Sequence, residues 1–319
     1  MHIVFPILLF TVNCFLGYCI NSKLVGYFHV HSPGFVSVLR SNSSTDSSQN
    51  EYTIYISSFS GNTFSADHVY RLTNIGNKLN QLDQLKPEVV SSHIVWPNEI
   101  HDVPDHVFGK RMVSIAGGFL VPFKTKGTIS VIDVSSNTIG GLYELAKDHL
   151  DHDWFYHRIL WTDMNGDGLD DAVTCRAKKS IIGAAHGELL WFENPSQVVR
   201  DKFEHPWDHF VIGDHSDTYF DMATLTTPDG SYKCIVTTGF FSNQLNLVVI
   251  QEIHSRVIVG THGHVFDVQI TDLNKDGNPD LLVTTNGISG AAVYAFEVPH
   301  DFRYQNFFVE NTETNTPVP

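Results

Sequence analysis

The chain has 319 residues, 42% of them apolar and 12% aromatic, enough to pack a core larger than one small domain. Its 35 acidic and 20 basic residues leave a formal charge of −15, which argues against nucleic acid and against an anionic membrane surface as partners. The 18 histidines are scattered among aromatics rather than set at HExxH or other zinc spacings.

The first element is MHIVFPILLFTVNCFLGYCINSK. Its apolar run has signal-peptide length, and Gly17 and Cys19 are small enough to precede a cleavage site. Residues 1–19 are therefore expected to be removed, leaving a secreted chain of residues 20–319. No later segment is apolar over the roughly 20 residues that a membrane helix needs. Cleavage takes away Cys14 and Cys19, so only Cys175 and Cys234 remain, either paired or as two buried thiols. The stretch SNSSTDSSQN reads as a surface insert and carries a glycosylation sequon at Asn42.

A His-aromatic element then recurs along the chain. It reads HSPGFVSVL at His31, HVFGKRMVS at His106, HDWFYHRIL at His152, HSDTYFDMA at His215 and HGHVFDVQI at His262. The best candidate for a helix is LYELAKDHL, amphipathic over barely two turns.

After His152 comes WTDMNGDGLDDAVT. Asp163, Asn165 and Asp167 are positions 1, 3 and 5 of a loop, Gly168 is position 6 and Asp171 position 9. Alternate side-chain oxygens in a tight loop converge on one point, and the Leu169 carbonyl can add another. After His262 the pattern returns in ITDLNKDGNPDLLVTT, with Asp272, Asn274, Asp276, the carbonyl of Asn278, and Asp280. Hard oxygens bearing three negative charges per loop suit Ca2+ better than Mg2+, which keeps its waters. Two bound Ca2+ would bring the net charge to about −11. An EF-hand would need a bidentate Glu at position 12, where this chain has Thr174 and Val283. The runs after the two loops, DAVT and DLLVTT, are β-branched and strand-like. The alternative is a pair of solvated Asp/Asn/Gly turns with no metal. Asp170 lies outside the ligand positions and is expected to face solvent.

Each loop leads through a strand and a glycine turn to a second strand ending in Phe-Glu-x-Pro, at Phe192 to Pro195 and at Phe296 to Pro299. Between the two lies FDMATLTTPDGSYKCIVTTGF, a related unit in which TPDGSYK replaces the ligand loop. Many short strands in units of this kind predict an all-β chain, a β-propeller of four-stranded blades. Five blades is the best count and six stays open. Residues near Leu24 to His29 are expected to close the ring against C-terminal strands. Trp161, Trp191 and Phe192 could stack on sugars, though their strand positions favour packing between blades.

TDMNGDGLDDAV and TDLNKDGNPDLLV resemble the calcium loops of the FG-GAP/VCBS repeat family. The resemblance is specific over residues 151–299 and suggestive over residues 24–150. It departs from the integrin pattern, with no Gly-Ala-Pro after a Phe-Gly and no transmembrane tail. What it implies is the propeller and Ca2+ at both loops. Members of the family do many things, so function stays open between classes. The first reading is a secreted, calcium-stabilised module that binds a protein or a glycan. The alternative is a carbohydrate lyase or hydrolase whose histidines gather at one face with Tyr156, Tyr219 and Asp267. A His-aromatic element in every unit also fits a structural role, the imidazole locking a turn.

Overall fold

The computed structural model describes residue 24 and residues 26–41, 51–121, 124–146, 154–179, 184–214, 216–250, 254–259, 263–287 and 291–310. The expected leader, the Asn42 sequon, His152, His215 and His262 lie outside those residues.

The described chain is almost all β, in five four-stranded antiparallel sheets that follow one another in sequence. The first contains β1 (Pro33–Ser41), β2 (Glu51–Ser58), β3 (His68–Leu72) and β4 (Glu88–Ser91). The second contains β5 (Pro97–Val103), β6 (Met112–Gly117), β7 (Ile129–Asp133) and β8 (Leu142–Glu144). The third contains β9 (Phe155–Thr162), β10 (Asp171–Lys179), β11 (Ala185–Phe192) and β12 (His209–Asp214). The fourth contains β13 (Phe220–Thr227), β14 (Gly230–Gly239), β15 (Gln244–Val249) and β16 (His254–Val259). The fifth contains β17 (His264–Thr271), β18 (Asp280–Asn286), β19 (Ala292–Glu297) and β20 (Phe308–Glu310).

Every sheet is an up-and-down meander in sequence order. The architecture is propeller-like, because the first strands of separate sheets meet. His157 of β9 lies edge-on to Phe35 of β1 at 5.3 Å and to Phe266 of β17 at 6.3 Å between ring centres. The core lies between adjacent sheets. Met112, Ile129 and Val131 of the second pack with Tyr156, Ile159, Leu190 and Phe192 of the third. Cys175 and Leu189 of the third pack with Phe220, Ile235 and Val248 of the fourth. Val236 and Leu247 of the fourth pack with Leu281, Val283 and Phe296 of the fifth. Such burial, at about 25 cal/mol per Å2 of apolar surface, is the main force holding neighbouring sheets together.

Several expectations need correction. HVFGKRMVS does not open a sheet: Asp105–Phe108 form a helical turn, α1, that follows β5. The second sheet starts earlier, at Pro97. LYELAKDHL begins as strand, since Leu142–Glu144 pair with β7 as β8. Phe28 and Val30, near the segment expected to pair with C-terminal strands, instead pack on Ile56, Leu72, Ile75 and Leu82 of the first sheet and its following 3-10 segment, Ile75–Gln84. Of the two alternatives left open for the cysteines, the structure has the unpaired thiols: Cys175 and Cys234 are both buried and form no disulfide. The fourth sheet, by contrast, is as expected: the ligand loop of its neighbours is replaced there by a tight hairpin with Thr227 opposite Gly230.

Candidate functional site

In each meander the connections after the first and third strands share one end of the sheet. Both Asp/Asn/Gly loops follow a first strand, 163–171 leading from β9 into β10 and 272–280 from β17 into β18.

The two loops fold alike. Position 1 accepts the backbone N–H of position 6: Gly168 donates to Asp163 at 3.0 Å, and Gly277 to Asp272 at 2.9 Å. Asn165 and Asn274 each accept the N–H of position 5, at 3.0 and 2.9 Å. Asp167 and Asp276 accept the N–H of Leu169 and Asn278, both at 2.8 Å. Asp171 and Asp280 accept the N–H of Met164 and Leu273, both at 2.9 Å. Position 6 lies in the left-handed region in both, with φ of 84° at Gly168 and 93° at Gly277, a conformation that favours glycine.

These residues fit a hard cation. Asp163, Asn165, Asp167, Asp272, Asn274 and Asp276 crowd carboxylate and amide oxygens into small loops at the surface. The Asp163 carboxyl is held below its ordinary range: burial opposes this, but the N–H groups of Gly166, Gly168 and Asp167 together prevail. Asp171 is pushed up to about 6, first by burial and further by Asp167 and Asp163. A cation among these groups would reverse the repulsion. The aspartates of neither loop, however, gather as tightly as His186, Glu188 and Asp214, the only such trio among the described residues with donor atoms within 4.8 Å of one another. Asp170 does not face open solvent; it pairs with His106 Nε2 at 3.0 Å, tying the first loop to α1.

A second constellation lies where the first strands meet. Arg158 of β9 is 8% exposed. Its Nη1 is 3.4 Å from Glu99 Oε1 of β5, and its Nη2 is 3.9 Å from Asp221 Oδ1 of β13. Its guanidinium carbon lies 4.1 Å from the Tyr219 ring centre. Gln269 of β17 donates to the Tyr219 hydroxyl at 3.3 Å and to Asp267 Oδ1 at 3.4 Å. Four sheets thus contribute to one polar cluster. Burial raises Glu99, opposed by Arg158 and reinforced by Asp267 and Asp221. Asp267 is also raised, chiefly by burial. His101 of β5 is lowered, first by burial and then by Arg158. Glu99 Oε2 and the Nε and Nη1 of Arg158 are buried with no hydrogen-bond partner among the described residues. Buried polar atoms are normally satisfied, so these three are open to a ligand or to water.

Of the residues expected at a catalytic face, Tyr219 and Asp267 belong to this cluster and Tyr156 does not. Tyr156 is 1% exposed, in the core between the second and third sheets. His264 Nδ1 lies 2.6 Å from the Phe240 carbonyl, in line with a turn lock. Trp161 and Phe192 pack in the core, and Trp191 stacks on Phe210 at 4.9 Å, which leaves none of them as a sugar platform. Glu99, Arg158, Asp221 and Gln269 carry no local sequence signal. The only one available is their shared place on the first strand of a sheet.

No family model and no curated protein sequence matches this chain. Among solved structures it is similar to a calcium-binding protein, regucalcin, from Agrobacterium tumefaciens str. C58. The identity is 10% and the TM-score 0.43, over 84% of this chain and 70% of that one. It is also similar to an alpha-L-arabinofuranosidase from Lactobacillus brevis, with 12% identity and a TM-score of 0.37, over 81% of this chain and 90% of that one.

Proposed function

We propose that the protein is a secreted, closed propeller of the FG-GAP/VCBS type, stabilised by Ca2+ in the 163–171 and 272–280 loops, that binds a glycan at the Arg158 cluster. The observation that carries the ligand site is the set of three buried atoms without a hydrogen-bond partner, Arg158 Nε and Nη1 and Glu99 Oε2, among acceptors and donors from four sheets. Sugar hydroxyls both donate and accept, which suits a cluster of carboxylates, guanidinium, phenol and amide. Closure is supported by the apolar faces of the terminal sheets. Val36 and Val38 of β1 are 62% and 59% exposed, and Val293 of β19 is 53% exposed. Bringing the first and fifth sheets together would cover them. An apolar N-terminal run and two buried cysteines that form no disulfide are compatible with export of the chain without a disulfide scaffold.

A glycan array probed with the purified protein, with and without EDTA, tests the reading. Binding that weakens in Gln269→Ala and Arg158→Lys supports it; an array with no retained glycan overturns it. The second reading, a carbohydrate hydrolase or lyase, is favoured by one observation. Glu99 and Asp267 are both raised beside Asp221, the setting in which one carboxyl can act as acid while another acts as base. Release of shortened or unsaturated sugars from the bound glycan would establish that reading.

A further inference from the structure

We propose that His186, Glu188 and Asp214 form a zinc site on the outer strands of the third sheet, separate from both calcium loops. His186 and Glu188 are two residues apart on β11, so their side chains share one face. Asp214 of β12 stands directly opposite Glu188 in the ladder. Like charges directly opposed across a pair of strands are destabilising, so this pairing needs a compensating cation. Part of that compensation is visible. Arg176, opposite Glu188 on β10, donates from Nε at 2.9 Å and lies 2.8 Å away through Nη2, both to Oε2. Its guanidinium carbon in turn sits 4.1 Å from the Trp154 ring centre, which holds it in place.

Oε2 is therefore taken and Oε1 is turned to His186, whose Nε2 is 3.0 Å away. The ligand atoms of His186, Glu188 and Asp214 lie within 4.8 Å of one another. A carboxylate fixed through its second oxygen by an arginine is the kind of outer support that metal-ligating carboxylates receive. One imidazole nitrogen with two carboxylate oxygens is a donor set for Zn2+ rather than for Ca2+, which takes oxygens. Three protein donors leave one tetrahedral position for water or a ligand oxygen. His186 and Asp214 are exposed, which gives the ion a path in. The site lies at the start of β11 and the end of β12, the end of the sheet away from the 163–171 loop.

The test is calorimetric titration of the untagged full chain with ZnCl2 in saturating Ca2+, followed by Co2+ substitution and its visible spectrum. One Zn2+ per chain is expected, with intense tetrahedral Co2+ bands. His186→Ala and Asp214→Asn should each weaken Zn2+ by more than about tenfold, the lower end of what loss of an outer partner alone costs. Both residues are exposed, so these variants should fold, and an unchanged far-UV circular dichroism spectrum checks that. Asp167→Ala and Asp276→Ala, in the calcium loops, should leave Zn2+ binding unchanged. No Zn2+ heat in the parent, or Zn2+ binding retained in both His186→Ala and Asp214→Asn, overturns the proposal. Neither result bears on whether the 163–171 and 272–280 loops bind Ca2+.

Discussion

Asp171 Oδ1 accepts a 2.8 Å hydrogen bond from the backbone N–H of Asn194, which fastens the 163–171 loop to the Phe-Glu-x-Pro turn after β11. Its other oxygen holds the N–H of Met164 at 2.9 Å, and the residue is fully buried. Asp171 is thus a structural staple as well as a candidate ligand. Asp171→Ala should destabilise the protein even in EDTA, by about 1–3 kcal/mol for each buried N–H left unsatisfied. Asp167→Ala, at the exposed tip of the same loop, should cost about 0.5 kcal/mol or less. Urea unfolding of both variants in EDTA measures the difference.

Calcium titration should give two sites in the parent and one in Asp280→Ala or Asp167→Ala. Asp170→Ala, which loses only the His106 pair, should keep both. Extracellular Ca2+ modules bind with dissociation constants of roughly 10⁻⁴ to 10⁻³ M. At about millimolar Ca2+ each site would then add only about 0.4–1.4 kcal/mol. EDTA should therefore lower Tm by a few degrees without unfolding the chain, as read by differential scanning calorimetry.

The loops were legible because their chemistry is local. Carboxylates and amides at alternate positions, with glycine at the sixth, must fold together whatever surrounds them, and both loops do so with matching hydrogen bonds. The sheets were legible from the repeat for the same reason. The Arg158 cluster was legible only at Tyr219 and Asp267; Glu99, Arg158, Asp221 and Gln269 come from four different sheets and meet only when first strands converge. His106 misled because a His-aromatic run also suits a helical turn: Val107 and Phe108 of that turn are buried against the core. The short strand Leu142–Glu144 looked helical because three residues are too few to show a period, and its pairing with β7 decides its conformation.

Closure of the ring makes its own prediction. If the ring closes as proposed, Val38→Asp or Val293→Asp would place an unpaired charge between the first and fifth sheets. In a closed ring each should cost more than about 2 kcal/mol, as burial of an uncompensated charge does. If the two faces stay open to water, the change should fall within about 0.5 kcal/mol. Chemical denaturation separates the two outcomes.

Lys124 and Asp67 form a buried ion pair at 2.6 Å, each side chain 5% exposed, and it joins the loop after β6 to the loop after β2. Lys124 also donates to the Ser60 and Ser65 carbonyls, and Asp67 accepts the N–H of Trp96 at 2.9 Å. Lys124→Met should cost about 3–5 kcal/mol, because it strands a buried carboxylate. A double-mutant cycle with Asp67→Asn should return part of that loss, since the amide still serves Trp96 without a charge. Additive losses would mean that the pair contributes nothing beyond its separate hydrogen bonds.

His157 supplies the pH dependence. It is 6% exposed between Phe35 and Phe266, and its Nδ1 has no hydrogen-bond partner among the described residues. Burial, with Arg158 adding, lowers its pKa to about 4. An unfolded chain protonates the same imidazole below about 6.5. Between those values the unfolded state binds more protons, so stability falls as pH falls. The full effect is present above about pH 6.5, and some 3 kcal/mol of it, as an order of magnitude, is lost by pH 4. Asp217 works the other way. Burial raises it to about 6 against the Phe240 and Phe241 N–H groups, so stability from that group is lost as pH rises through the same window. Comparing the parent with His157→Gln at matched pH removes the Asp217 contribution. The parent should lose stability relative to His157→Gln between pH 6.5 and pH 4. Parallel unfolding curves across that range would mean that His157 takes up its proton in the folded state as readily as in the unfolded one.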